Sequence, residues 1–199
     1  MAVKRKYNIY ALSILMMIVS FLGFVLENIW LAITKGYINN RNMNLPFLLG
    51  YGLIVVFMYF LFGTPSEMVL MGKFPVKASK WIRWILYFIC AMFFVSVGEI
   101  LLGIVTEKLC HIQYWNYSEL PLHITIYTSV PTSIGFSFII SMFMGHVFHP
   151  IMNWVSGMNP GLVKAIALVG MFLLIGDFII SYGNMIRSHN FYIKWKLLL

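Results

Sequence analysis

Five long apolar runs, at about residues 9–34, 46–63, 81–105, 128–148 and 163–183, constrain this 199-residue chain more than any other feature. A helix needs about 20 mostly apolar residues to cross the hydrocarbon core of a bilayer. A helix packed in a water-soluble core would show a polar stripe at helical spacing, and these runs show almost none. Hydrophobic residues make up 61% of the chain and charged residues only 10%, against roughly 25% charged in soluble domains. The expected fold is therefore all-α: a polytopic integral membrane helix bundle of about five transmembrane helices. No domain boundary or low-complexity segment interrupts it, so residues 1–199 read as a single membrane domain.

The formal net charge of +8 would suggest nucleic acid in a soluble protein. Here the basic residues flank the apolar runs, so membrane lipids are the expected partners, and no basic-aromatic domain remains for DNA or RNA. Lys4, Arg5, Lys6, Lys73, Lys77, Lys80, Arg83 and Lys164 fall on one side of a five-span arrangement. Lys35, Arg41 and Lys108 fall on the other, a bias of eight to three before the C-terminal tail. That bias places the N-terminus in the cytoplasm, with the chain in the plasma membrane. Arg187, Lys194 and Lys196 in the tail work against it. The first run is too long for a cleavable signal peptide and no small-x-small site follows it, so it reads as an anchor.

Between the runs, Thr64-Pro65-Ser66-Glu67 has the form of a capping box with proline at the first helical position, predicting a short cytoplasmic helix at 65–72. Trp81 and Trp84 beside Lys80 and Arg83 suit a membrane interface. The stretch "HPIMNWVSGMNPG" carries turn chemistry. Cys90 and Cys110 lie about 30 Å apart along one helix at 1.5 Å per residue, too far to pair, leaving an inert buried thiol and a free loop thiol. Ser133, Ser137, Ser141 and Gly145 recur at four-residue spacing. Such a row lets another helix approach closely in lipid, and it could alternatively line a polar path.

Glu27, Glu99 and Asp177 are the acids inside the predicted spans, in the first, third and fifth. Each lies past its helix midpoint, about 6–9 Å toward the outer face. Polar or small companions share their faces: Ser20 and Gly23 with Glu27, Ser96 and Gly103 with Glu99, Ser181 with Asp177. A charged acid at a helix centre costs about 2.5–3.5 kcal/mol on insertion scales, so these faces should point inward. Acids at one level repel unless protonated or countered by a cation. Two readings stay open: a proton, cation or amine site, or structural hydrogen bonding and pairing with Arg41 or His123. Glu27 and Glu99 each precede a threonine by seven residues, a faint echo of internal duplication.

"GFVLENIW" followed by "INNRNMNLPFLLGYG", and Glu99 followed by Trp115-Asn116-Tyr117-Ser118, resemble the bacterial CmpB-type family of type IV ABC-transporter permeases over roughly residues 20–140. In that family a helix glutamate, matched by Glu27, precedes an Asn-Arg-Gly turn, matched by Asn40 and Arg41. A Pro- and Gly-rich approach to the second helix follows, matched by Pro46, Gly50, Tyr51 and Gly52. A second helix glutamate and a Trp-Asp-Tyr-Ser turn come later. Asn42 stands for the family glycine, Asn116 for the aspartate, and "LHIT" for an expected Asn-Gly segment, so this chain resembles a divergent member. The resemblance implies transport, with Asn40, Arg41, Trp115, Asn116 and Tyr117 joining the acids as candidate site residues. It also implies a homo-oligomer or a separate ATPase subunit as partner.

No GxxxxGK[ST] phosphate cradle occurs, so ATP hydrolysis would need that separate subunit. HExxH, GxSxG and cysteine clusters are missing as well. His146 and His149, without a carboxylate nearby in sequence, read as a polar interface cap. The expectation is no cofactor, no metal and no catalytic residue. Three functions follow: a permease-like transport component, a non-enzymatic accessory or assembly protein, and, weakest, a lipid-acting intramembrane enzyme.

Overall fold

The computed structural model describes residues 6–199; Lys4 and Arg5, which entered the charge bias, lie outside the described residues. In chain order the elements are α1 (Ile9–Lys35), β1 (Tyr37–Asn39), α2 (Leu49–Phe62), β2 (Val69–Leu70), β3 (Phe74–Pro75), α3 (Lys80–Cys110), β4 (His123–Thr125), β5 (Thr128–Ser129), α4 (Val130–Met142), a π-turn (Phe143–Val147), α5 (Phe148–Ser156), α6 (Pro160–Ser188) and β6 (Lys196–Leu198). Among the described residues four helices are long and apolar enough to cross a membrane: α1, α3, the continuous α4–π–α5 segment Val130–Ser156, and α6. The 14 residues of α2 cover about 21 Å, less than the roughly 30 Å of a hydrocarbon core.

Helix ends follow the local chemistry. Asn8 caps α1 by accepting from the Ala11 amide, and Gly36 closes it with φ 68°. Ser129 and Thr132 form a capping box on α4. Asn159 accepts from the Gly161 and Leu162 amides ahead of Pro160 at the start of α6. An asparagine or serine oxygen at these positions satisfies amides that have no partner inside the helix.

The described residues fall into two compact units. One comprises Tyr7–Leu53, Cys110–Ile112 and Trp154–Leu199. In it α1 and α6 pack together, burying Leu12, Leu15 and Val19 from one and Val163, Ala167 and Leu174 from the other. Gly170 permits the approach, since a Cβ there would fall 2.0 Å from Cε of Met17. Antiparallel pairing of β1 with β6 sets Tyr37 against Leu198 and Asn39 against Lys196. It ties the C-terminal tail to the loop after α1.

The other unit comprises Ile54–Leu109 and Gln113–Asn153. Tyr87, Met58, Met144, Phe148 and Met152 are fully buried there. The Tyr59 and Phe148 rings stack at 4.8 Å, and Phe57 and Phe62 both meet Phe94.

Three expectations are corrected. Residues 65–72 form no helix. Gly63 (φ 68°) ends α2, Thr64 spends its hydroxyl on Ser66 at 3.1 Å, and left-handed Met71 and Gly72 turn the chain into the β2–β3 hairpin. The Gly72 amide donates back to the Leu61 carbonyl at 2.8 Å. The helix also runs through Pro150 to Ser156, because the π-turn before it opens the backbone where proline supplies no amide. Lastly, the two thiols exchange places: Cys110 is the buried last residue of α3 and no loop thiol, and Cys90, expected buried, is only half-buried, both being free.

Candidate functional site

The unit containing α1 and α6 holds two acids, each gripping the loop that follows α1. Glu27 accepts from Nη2 of Arg41 at 2.7 Å through one oxygen and from the Tyr51 hydroxyl at 2.6 Å through the other. Both members of the ion pair are only partly exposed, with 21% of the Arg41 and 25% of the Glu27 side chain reaching solvent. Local backbone chemistry aims Arg41. Asn28 on α1 accepts from the Asn39 amide at 2.8 Å, and the Asn39 side chain accepts from the Arg41 amide at 2.9 Å. Arg41 (φ 48°) and Asn42 (φ 63°) are both left-handed, and the Met43 amide closes the turn on the Asn40 carbonyl at 2.9 Å. This accounts for the one-residue departure in the Asn-Arg turn. Glycine enters the left-handed region freely, and asparagine tolerates it best among ordinary residues.

Asp177 on α6 is 6% exposed and acts as an acceptor for the same loop. It takes the Asn44 amide at 2.9 Å, the Asn44 side chain at 2.8 Å and the Leu45 amide at 3.0 Å. Ser181 donates to it at 3.2 Å. The tail completes the cage. Asn40 donates to the Tyr192 carbonyl at 2.9 Å and accepts from the Lys194 amide at 3.0 Å, and the Tyr192 hydroxyl donates to Asn44 at 3.0 Å.

In the other unit, Glu99 accepts from the Thr128 hydroxyl at 2.6 Å. Thr128 and Ser133 lie 3.1 Å apart, and Ser133 and Ser96 2.8 Å apart, forming a chain of hydroxyls leading from the carboxylate. Ser133 thus links α4 to α3. Ser137 and Ser141 are buried beside it, and Gly145 lies against the Trp84 indole. Loop 113–129 is held from within. Trp115 donates its indole N–H to the Tyr127 carbonyl at 2.7 Å, and the Tyr117 amide donates to the Ile126 carbonyl at 2.8 Å. Asn116 accepts from the Ser118 amide at 2.8 Å, an Asx turn. Tyr127 donates to Glu107 in a short hydrogen bond. That bond, with partial burial and the carboxylate's charge, raises the Tyr127 pKa above the usual phenol value.

The sequence reading confined the acids to Glu27, Glu99 and Asp177. Because α3 continues to Cys110, Glu107 is a fourth acid on a long helix. Tyr51, Asn28, Asn44, Tyr127 and Thr128 were also missed as partners. His123 turns its ring to the Leu120 carbonyl at 3.2 Å. His146 packs on Trp84, and His149 lies 3.4 Å from the Thr64 hydroxyl. Among the described residues no group of three or more His, Cys, Asp or Glu is placed to hold a metal ion.

Compared with known proteins, residues 14–182 match the family described as "Putative ABC-transporter type IV". No curated protein and no solved structure matches.

Proposed function

The chain belongs to this type IV ABC-transporter family, and from that premise we propose that it is the permease-like membrane component of a transporter whose ATPase is a separate subunit. The observation that carries the reading is the family match over residues 14–182, laid on four span-capable helices in a chain without a phosphate-binding loop. The whole chain acts as one membrane domain in a bacterial plasma membrane, its N-terminus cytoplasmic, alone or as a homo-oligomer beside the ATPase.

Five crossings, rather than four, fit the tail. Pairing of β1 with β6 puts the end of α1 and the end of α6 on one side. The chain must then cross an even number of times from one end to the other, and since α6 is itself one crossing, an odd number of times between α1 and α6. Segments α3 and α4–α5 supply two crossings, so α2 supplies the third, its 14 residues extended by loop on either end.

Glu99 is the carboxylate best furnished to exchange a proton, since Thr128, Ser133 and Ser96 give it a continuous hydroxyl chain. Trp115, Asn116 and Tyr117 lie in the same unit as Glu99 and join it in a proposed proton, cation or amine site, while Glu27 with Arg41 and Asn40, and Asp177, form a separate proposed set in the other unit. One observation favours the accessory reading instead: Glu27 and Asp177 already spend their oxygens on Arg41, Tyr51, Asn44 and Leu45. Purification decides between them. The tagged chain, solubilised mildly from its own membrane, should elute with vanadate-sensitive ATP hydrolysis absent from an untagged control. Elution without that activity would leave the accessory reading standing.

A further inference from the structure

Two places in the chain carry the same construction. On α1, Leu22-Gly23-Phe24-Val25-Leu26-Glu27 is followed by Arg41-Asn42, Leu45-Pro46 and Tyr51; on α3, Leu102-Gly103-Ile104-Val105-Thr106-Glu107 is followed by Trp115-Asn116, Leu120-Pro121 and Tyr127. The geometry repeats with the sequence. A Cβ on Gly23 would fall 2.4 Å from Cγ of Tyr51, and one on Gly103 2.4 Å from Cδ1 of Tyr127. Each tyrosine therefore packs directly against a glycine, and each hydroxyl reaches the glutamate one helical turn further on. This register pairs Glu27 with Glu107, and it replaces the Glu27–Glu99 echo that the threonine spacing suggested.

The copies differ at one point that decides their chemistry. In the first, Arg41 brings a guanidinium onto the second oxygen of Glu27 at 2.7 Å. In the second, Trp115 occupies the place of Arg41 in the sequence pattern, and among the described residues no lysine or arginine pairs with Glu107. The Trp115 indole is pinned to Tyr127, which itself holds Glu107, and the Tyr114 ring meets it edge-on at 5.5 Å. A carboxylate held by a phenol, with an indole fixed to the same tyrosine's backbone, brings together the groups that recognise organic cations, by charge and by the negative faces of the rings.

We propose that Glu107, Tyr127 and Trp115 form a binding site for a solute bearing a guanidinium or alkylammonium group. Arg41 shows, in the first copy, how such a group sits on the Gly-Glu-Tyr clasp. The site deepens the amine reading of the previous subsection by naming its carboxylate, yet its test needs no ATPase.

The test uses the full chain in neutral-lipid nanodiscs, with methylguanidinium chloride as probe, titrated at constant ionic strength and followed by ligand-observed NMR. Wild type should bind saturably. Glu107→Gln should weaken binding about tenfold or more. Trp115→Arg should abolish it while keeping the chain folded, because a tethered guanidinium then fills the place as Arg41 does at Glu27. Glu67→Gln should leave binding unchanged, since that exposed carboxylate belongs to no candidate site. No saturable binding to wild type, or equal binding by all four proteins, would overturn the proposal. Binding lost equally in Glu67→Gln and Glu107→Gln would reduce the effect to net charge and overturn it equally. A Glu107→Gln protein that failed to fold would leave the Trp115→Arg comparison to decide.

Discussion

Removing the Asp177 carboxylate should cost the protein a large part of its stability. Four donors converge on that side chain, two of them the Asn44 and Leu45 backbone amides at 2.9 and 3.0 Å. The Asn44 side chain and the Ser181 hydroxyl can turn elsewhere, and they already meet each other at 2.9 Å. The amides cannot turn. A hydrogen bond to a charged acceptor contributes about 1.5–3 kcal/mol, so losing the two fixed ones in Asp177→Ala should cost about 3–6 kcal/mol. Asp177→Asn keeps one oxygen but sets an NH₂ group against one of the fixed N–H donors. It should cost about half as much. Equilibrium unfolding in mixed micelles, titrated with SDS and followed by far-UV circular dichroism, measures both. The expected order of stability is wild type, then Asn, then Ala. An Ala variant within about 0.5 kcal/mol of wild type, the range of an ordinary surface change, would refute the claim that this carboxylate anchors the loop after α1.

Other consequences are as direct. In a thiol-free background, Lys35→Cys and Asn190→Cys should label with an impermeant maleimide from one side of the membrane and Lys73→Cys from the other; Lys73→Cys labelling with Lys35→Cys would mean that α2 does not cross. Gly23→Ala and Gly103→Ala should each cost about 1–3 kcal/mol in the same unfolding assay, since the tyrosine ring must lift off the helix. Ser137→Leu should lower folded yield in detergent while Phe138→Leu should not, because Ser137 is fully buried and Phe138 is 59% exposed. Tyr127 has a raised pKa, so its bond to Glu107 should contribute fully below the ordinary phenol value near 10 and fade as pH rises through the higher folded value. Ultraviolet titration of wild type minus Tyr127→Phe should show one phenol ionising above the rest, and a difference centred at or below 10 would contradict the geometry.

Hydropathy placed the starts of the four long helices within about three residues but ended α3, α4–α5 and α6 short, at 105, 148 and 183 against Cys110, Ser156 and Ser188, because an apolar run fixes that a helix spans and not where its polar ends stop. Local signals did less well where tertiary context competes. The Thr64–Glu67 pattern has every residue of a helix start. The chain turns there instead because Met71, a residue with no left-handed preference, adopts φ 53° ahead of Gly72. Pro150 reads as a helix end until the π-turn at Phe143–Val147 is known, and no composition announces that turn. The acids were visible singly, since a carboxylate in an apolar run is rare. Their partners were not. Arg41 lies 14 residues from Glu27, and Asn44 lies 133 from Asp177. The Leu-Gly-x-Val-x-Glu repeat was written in the sequence. It was overlooked because α3 was ended at residue 105, which left Glu107 in a loop.

The positions of these acids follow from the loops beside them. Irregular backbone survives near membrane depth only where its N–H groups find acceptors inside the protein. Residues 39–45 meet that demand largely with side chains: Asn28 takes the Asn39 amide, Asn39 takes that of Arg41, and Asp177 takes those of Asn44 and Leu45, while the Met43 amide turns to the Asn40 carbonyl. Loop 113–129 meets it differently, with Tyr117 on the Ile126 carbonyl, Ser118 on Asn116 and the Trp115 indole on the Tyr127 carbonyl. That second loop is satisfied without drawing on Glu107 beyond one phenol. The first copy of the clasp therefore spends its carboxylate and its arginine on holding the chain. The second keeps a carboxylate that the fold of its loop does not need, and a charge retained in a helix without a structural debt is where binding is to be sought first.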